Sequence, residues 1–407
     1  MRLWLFRIIA TLLPFAAVAE TDGQSPARPA VEAALRSGRA LCKVVSPTDA
    51  GRSGSRQGGI YLPRQAWRAF SSRPPVEEEN HREAVTLRWA DGLTSQAMLH
   101  WYGKGTRSEF RLTRTTSQIT EQHVGDLLVL IPQGAAQFSA HLLNTDAAME
   151  EFYSALSLEP ATRWSVYEKG TAATAAPGSI EAWAAREAEK HAAFPSGKTM
   201  AALARQAVTE CRPGMESQSA DERLLAWMEA EYAIYRAIES RLCAAQVQQK
   251  FATVEEFLNA AATIANRRKS RAGHSLEAHV EHLLREAGIT FEAQATIDGS
   301  VKPDILLPGR AAYEDPGHPA NDLVVLGLKT TCRDRWRQVL NEGKRVPVKH
   351  LLTLQPAMSQ AQLEEMREAR LQLIVPAPLH SGYDLPPGSR LLSVAEFVQE
   401  MRRRFPR

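Results

Sequence analysis

Apolar and polar positions alternate over short distances in the first third of the chain and over helical distances beyond it. Between about Ala40 and His141, apolar runs such as Gly59-Ile60-Tyr61-Leu62, Ala84-Val85-Thr86-Leu87, Ala97-Met98-Leu99-His100-Trp101 and Leu127-Leu128-Val129-Leu130 are separated by Gly, Pro, Ser and Asp clusters. Several short strands broken in this way predict a small barrel or sandwich. From about Thr171 to Ser219 the chain turns rich in Ala, Pro, Gly and Ser, which predicts an interdomain region. Helical spacing follows. Leu224, Leu225, Trp227, Met228 and Tyr232 fit one helix, and Val254, Phe257 and Leu258 fit a second. A third starts near Ser275, with Leu276, Val280, Leu283 and Leu284 on one face that must be buried.

From Thr290 strands and helices interleave. The pattern predicts strands over Thr290–Ile297, Pro303–Leu307, Leu323–Thr331, Leu351–Leu354 and Leu371–Val375. It predicts helices over Arg333–Glu342, Gln360–Arg370 and Ser393–Arg403. This is the pattern of an α/β layer whose mixed sheet is covered on both faces. The chain of 407 residues is too long for one ordinary core. The expected division is a leader over 1–30, a mostly β domain over 31–170, a linker over 171–220 and an α/β domain over 221–407.

Composition narrows the class without naming it. With 44% hydrophobic and 23% charged residues, the chain is neither disordered nor fibrous. A net charge of +3 does not announce a nucleic-acid binder, so any such surface must come from local clusters of Arg and Lys. Cys42, Cys211, Cys243 and Cys332 lie far apart with no CxxC pair, which disfavours both a zinc site and a disulfide framework. His274, His279 and His282 cluster on one helix, but His279 and His282 point away from any nameable partner, which disfavours a zinc site there. The start, MRLWLFRIIATLLPFAAVAE, has the cationic, apolar and small-residue layout of a secretory signal. No later stretch approaches the roughly 20 apolar residues of a membrane span.

Phosphodiester cleavage needs carboxylates to hold a divalent ion and a cation to orient the nucleophile or offset developing charge. Mg²⁺ suits such a site because it prefers oxygen ligands and keeps several of its own waters. Pro303-Asp304 opens one predicted strand and Lys329 lies near the end of another, but the acid usual two residues before the lysine is replaced by Gly327. The following helix offers a substitute. Arg335, Gln338 and Glu342 would share one face of it, with Trp336, Val339 and Leu340 opposite. Glu342, thirteen residues beyond Lys329, would then supply the second metal ligand. Arg267, Arg268, Lys269 and Arg271 precede the Ser275 helix, and Arg333, Arg335 and Arg337 follow the Lys329 strand. Such clusters suit phosphate contact and bidentate reading of guanine, although a solvated helix face is the ordinary explanation of any one of them.

The segments NRRKSRAGHSLEAHVEHLL, KPDILLPG, LKTTCRDRWRQVLNE and LQLIVPAPLH resemble the catalytic domain of EcoRII-type restriction endonucleases, over about Asp221 to the C-terminus. A weaker likeness, through GGIYLP and TRSEFRLTR, covers about Leu41 to Thr115 and resembles that family's N-terminal effector-DNA-binding domain. The resemblance implies a restriction-endonuclease-like PD-(D/E)xK catalytic domain preceded by a B3-like pseudobarrel. It implies a homodimeric type IIE enzyme that cuts double-stranded DNA at CCWGG and is stimulated by further copies of the site. The family shares the displaced acid. Its metal ligands carry over to Asp304 and Glu342, its lysine to Lys329, and a supporting glutamate to Glu277, with Glu281 one turn away as the competitor. Base contacts carry over to Arg333, Asp334 and Arg335, and N-terminal DNA contacts to Tyr61, Lys104, Arg107, Arg111 and Arg114. Arg107, Glu109 and Arg111 would share one strand face. A secreted restriction enzyme could not meet incoming DNA, so a cytoplasmic protein is expected, with the leader outside the fold. Three alternatives stay open: a DNA-binding regulator with a silent nuclease domain, a repair endonuclease, and an exported protein.

Overall fold

In the computed structural model, the described residues are 25–51, 59–67, 71, 73–106, 108–115, 117–160, 162–170 and 176–406. Helix α1 (Arg28–Ser37) leads into an eight-stranded sheet: β1 (Arg39–Val44), β2 (Ile60–Leu62), β3 (Asn80–Trp89), β4 (Thr94–Tyr102), β5 (Glu109–Thr113), β6 (Leu127–Gly134), β7 (Gln137–Leu143) and β8 (Trp164–Glu168). Helix α2 (Asp146–Leu156) intervenes before β8. The strand order is β2-β5-β4-β3-β7-β6-β1-β8, antiparallel throughout except for the parallel β3–β7 pair.

Strands β1 and β6 are buried on both faces, which explains their near-continuous apolar runs. Leu41, Leu128 and Leu130 enter a core with Trp101, Phe110 and Phe138. Their neighbours Cys42, Val44, Leu127 and Val129 pack instead on α1 and α2, through Ala30, Ala34, Met149 and Phe152. On β3 the alternation is clean, with Val85, Leu87 and Trp89 inward.

The segment expected as a linker is largely helical. Helices α3 (Ile180–Ala188) and α4 (Gly197–Cys211) pack on α5 (Ala220–Gln248). Ile180, Trp183, Ala184, Met200 and Ala204 are buried in the same core as Leu224, Trp227 and Leu284. Their alanines are the strongest helix formers and let the helices approach closely; Ser179, Ser196 and Ser219 cap the three helices.

The second and third expected helices are one, α6 (Val254–Glu286), of 33 residues. No Pro interrupts it, and its one internal Gly is tolerated in a long helix at about 1 kcal/mol. The basic run from Arg267 to Arg271 therefore lies within a helix rather than ahead of one.

The second sheet holds β9 (Glu292–Ala293), β10 (Ile305–Leu307), β11 (Val324–Lys329), β12 (Lys349–Thr353), β13 (Leu371–Ile374) and β14 (Leu391–Leu392), adjacent in the order β14-β13-β12-β11-β10-β9. Pairs β9–β10 and β10–β11 are antiparallel and the remainder parallel, so the sheet is mixed as expected. Short helices α7 (Arg310–Glu314) and α8 (Trp336–Val339) and the longer α9 (Gln360–Glu368) and α10 (Val394–Arg404) complete the domain. On one face Val324, Leu326, Leu328 and Leu352 meet α3–α6 and α10. On the other, Leu351 and Leu373 meet Trp336, Val339, Leu363 and Met366. The four cysteines are free, and no helix among the described residues is long and apolar enough to cross a membrane.

If α3 belongs to the core, Trp183→Ala removes a buried indole and costs about 3–5 kcal/mol in urea unfolding of the C-terminal half. A passive linker would register less than about 0.5 kcal/mol.

Candidate active site

Strand pairing brings the first two site residues together. Ile305 on β10 pairs with Leu326 on antiparallel β11, so Asp304, one step before β10, stands opposite Gly327. The Asp304 carboxylate accepts hydrogen bonds from the Leu328 amide (2.6 Å) and the Lys329 ammonium (3.2 Å). Gln294 donates to its other oxygen at 3.3 Å, a contact that no sequence signal announced.

Gly327 is required by packing. A Cβ there would lie 2.5 Å from Val339 Cγ2 and 3.1 Å from Cγ1, because α8 rests directly on β11. An acid at this position would collide with the helix that covers the strand.

Glu342 reaches the site by a different route from the expected one. Helix α8 spans only Trp336–Val339, and Glu342 lies beyond it in a turn. Trp336 and Val339 are buried as expected. Arg335 does not share a face with Glu342, because it ion-pairs with Glu150 of the N-terminal domain. Burial and then repulsion from Asp304 push the Glu342 carboxyl up to about 7, despite Lys329, and its Oε2 is buried without a hydrogen-bond partner. Glu277 on α6 faces the same centre. Burial and then Asp304 raise its pKa, while His274 and Lys329 oppose the rise. Its competitor Glu281 ion-pairs with Arg285.

Asp304 thus opposes both Glu342 and Glu277, Lys329 offsets part of this at each and Lys349 at Glu342, and the buried Glu342 Oε2 lacks a hydrogen-bond partner. Such a donor set of hard oxygens fits a divalent cation of the Mg²⁺ type. Among the described residues no group of three or more His, Cys, Asp and Glu is gathered closely enough to hold a metal ion in this conformation. The fit therefore rests on Asp304 and Glu342, with Glu277 beside them.

The other expected contact residues divide. Arg333, Asp334 and Arg335 are engaged by the N-terminal domain. Their three backbone amides donate to the Asp146 carboxylate at 3.0, 2.8 and 2.9 Å, and Asp334 accepts from the Asp146 amide at 2.9 Å. Burial pushes the Asp146 carboxyl up, but hydrogen bonds with Asp334 and these amides outweigh it and hold the carboxyl down to about 2. Arg333 pairs with Asp126 at 2.8 Å and donates to the carbonyls of Val124 and Gln122.

Within α6, Arg268 forks onto Glu239 and also donates to the Ser154 carbonyl at 2.9 Å. Arg267 stacks over Phe194 and Arg271 over Tyr232 and Tyr235, whereas Lys269 is exposed. His279 is fully buried and does have a partner, Glu231 at 2.9 Å.

In the N-terminal sheet, Arg82, His100, Arg111 and Tyr61 form one row across β3, β4, β5 and β2. Glu109 and Arg111 share a strand face as expected. Lys104 and Arg114 are exposed. Arg107 and residues 1–24 of the leader lie outside the described residues. Arg82 and His100 are members of this row that the alternation of β3 and β4 could have suggested.

The family model "EcoRII C terminal" matches residues 235–398 and "Restriction endonuclease EcoRII, N-terminal" matches residues 34–153. With both domains present in that order, the chain belongs to the EcoRII family. It is similar to the type II restriction enzyme EcoRII of Escherichia coli, 40% identical over 212 residues, covering 52% of this chain and 51% of that one. It is also similar to the type II restriction enzyme SsoII of Shigella sonnei, 26% identical over 142 residues, covering 32% and 45%. The chain spans about half the length of these curated relatives. Among solved structures, metal-depleted Ecl18kI in complex with uncleaved DNA aligns with TM-score 0.41 and 19% identity, over 57% of this chain and 85% of that one. The PspGI–substrate DNA complex aligns with TM-score 0.44 and 14% identity, over 52% and 93%.

Two outcomes follow from the geometry. Gly327→Ala pushes on Val339 and costs about 1–3 kcal/mol of stability in denaturant titration; an unchanged midpoint would show that α8 is not fixed against β11. Folding also raises the Glu342 pKa from the usual 4.5 to about 7. Its charge therefore burdens the metal-free fold above pH 7, and the burden disappears below pH 4.5, where the group is protonated both folded and unfolded. Glu342→Gln in EDTA should accordingly raise Tm at pH 8 and leave it near the parent value at pH 4. A pH-independent difference would contradict this.

Proposed function

We propose that this chain is a type II restriction endonuclease that hydrolyses phosphodiester bonds of double-stranded DNA with Mg²⁺. The observation that carries the proposal is the buried Glu342 Oε2, without a hydrogen-bond partner and in the field of Asp304 beside Lys329, in a chain of the EcoRII family. Asp304 and Glu342 would hold the ion. When bound, it would supply positive charge to polarise a phosphoryl oxygen and acidify a water.

The protein's own groups do the remainder. Leu328 N–H and Lys329 fix one Asp304 oxygen and thereby its orientation. Lys329, partly buried at the strand end, is placed to orient the attacking water or to offset charge developing on the phosphate. Glu277 adds a third acid beside these two, its pKa raised by burial and then by Asp304. A site of this kind leaves 5′-phosphate and 3′-hydroxyl ends.

The finer features belong to the same proposal. The recognition sequence is CCWGG, with Arg333, Asp334 and Arg335 at the G·C pairs. The row Arg82-His100-Arg111-Tyr61, exposed at Arg82 and Tyr61, with Lys104 and Arg114, binds a second copy on a B3-like N-terminal domain. The enzyme acts as a homodimer in the cytoplasm. Because Asp126, Asp146 and Glu150 occupy the base-reading arginines in this conformation, the two domains must part before those residues reach DNA.

The test is digestion of a sequenced plasmid with Mg²⁺ and with EDTA. Discrete fragments with mapped 5′-phosphate ends are expected only with the metal. Lys329→Ala should keep site-specific binding in gel shift while cutting falls by roughly 10²-fold or more. Cutting at the parental rate would remove Lys329 from the mechanism.

A further inference from the structure

Lys349 opens β12 and is 7% exposed, an unusual place for an ammonium group. It does not point into solvent, and no carboxylate accepts a hydrogen bond from it. Its Nζ donates instead to two backbone carbonyls, those of Gly343 and of Val346, the latter at 2.6 Å. These carbonyls belong to the turn that begins at Glu342. The ammonium also lies within the fields of Asp298 and Glu342.

The rest of the turn is held from the other side. The Lys344 amide donates to Asp298 at 2.9 Å, and Asp298 accepts the Tyr313 hydroxyl at 2.8 Å. Arg345 donates to the carbonyls of Asp315 and His318 at 2.9 and 2.8 Å. Gly343 has φ +62°, and a Cβ there would sit 2.6 Å from Val325 Cγ2. The turn is therefore wedged between β11 and the β12 lysine, with no room to drift. A glutamate carried on a turn rather than a helix needs such fastening, because no i to i−4 ladder fixes its backbone.

We propose that Lys349 is a positioning residue of the nuclease centre: by bridging the Gly343 and Val346 carbonyls, it sets where the Glu342 carboxyl stands to share a divalent ion with Asp304. This rests on the nuclease function proposed above. Groups that orient metal ligands from behind typically change metal affinity or activity by about 10–100-fold when removed.

The test is titration of Mn²⁺ into the full chain without DNA by calorimetry, alongside DNA binding and single-turnover cleavage. Lys349→Met is expected to weaken Mn²⁺ binding about tenfold or more and to slow cleavage, with DNA affinity within about twofold of parent. Lys349→Arg, which keeps a cationic donor, should recover part of the loss. Lys344→Met removes the same charge from the exposed side of the same turn and should bind Mn²⁺ like the parent. Parental Mn²⁺ affinity in folded Lys349→Met overturns the proposal, as does a loss in Lys344→Met equal to that in Lys349→Met. Should Lys349→Met not fold, Gly343→Ala decides: it displaces the turn with the lysine intact, so weakened Mn²⁺ binding supports the role and parental binding overturns it. A parent chain that neither binds Mn²⁺ nor cuts DNA is a different failure, because it sinks the nuclease function itself.

Discussion

The fold forces carboxyl groups from separate elements into one partly dehydrated place, where they repel each other. Asp304 arrives at the start of β10, Glu342 on the turn beyond α8, and Glu277 on the long helix α6. Lys329, with Lys349 near Glu342 alone, does not offset the rise in the Glu277 and Glu342 pKa values. A protein tolerates such a burden where function uses it, and a divalent cation relieves it in the most direct way. Much of the local architecture serves this meeting. The antiparallel register sets Asp304 across from Gly327, the absent Cβ lets α8 lie flat on β11, and the chain leaving α8 carries Glu342 back to the site.

The strand that carries Lys329 continues directly into Arg333, Asp334 and Arg335, so chemistry and proposed base reading are a few residues apart. In the conformation described here that second segment is committed to the N-terminal domain. Three successive amides converge on one Asp146 carboxylate, and Arg333 is enclosed by Asp126 and two carbonyls. These are charge-assisted hydrogen bonds, individually stronger than neutral ones. Phosphates and base edges offer comparable partners, so DNA bound as proposed competes for the same groups.

The strands of the second sheet were legible because parallel, doubly covered strands read as apolar runs; β11, β12 and β13 fall within a residue or two of their expected limits. The alternation of β3 and β5 likewise showed in the spacing. What the pattern hid was tertiary. Residues 180–211 look like a linker because Ala, Gly and Ser serve loops and closely packed helices alike. The basic run in α6 suggested a break, yet its arginines find Glu239 and two tyrosines on α5 and Phe194 before α4. Glu342 was singled out on a helix face, and by family likeness after that, but the helix ends at Val339, since periodicity over ten residues cannot distinguish one helical turn followed by a packed bend from a full helix. The partners Gln294, Asp146 and Lys349 left no local signal, because each acts on residues distant in the chain.

The central claim is that Asp304 and Glu342 converge on one divalent ion beside Lys329. The most direct test is a crystal of the full chain equilibrated with Mn²⁺ and measured at the manganese absorption edge. The account predicts one anomalous peak within bonding distance of an Asp304 oxygen and of Glu342 Oε2. Clear density for both side chains at saturating Mn²⁺, with no peak between them, would contradict it.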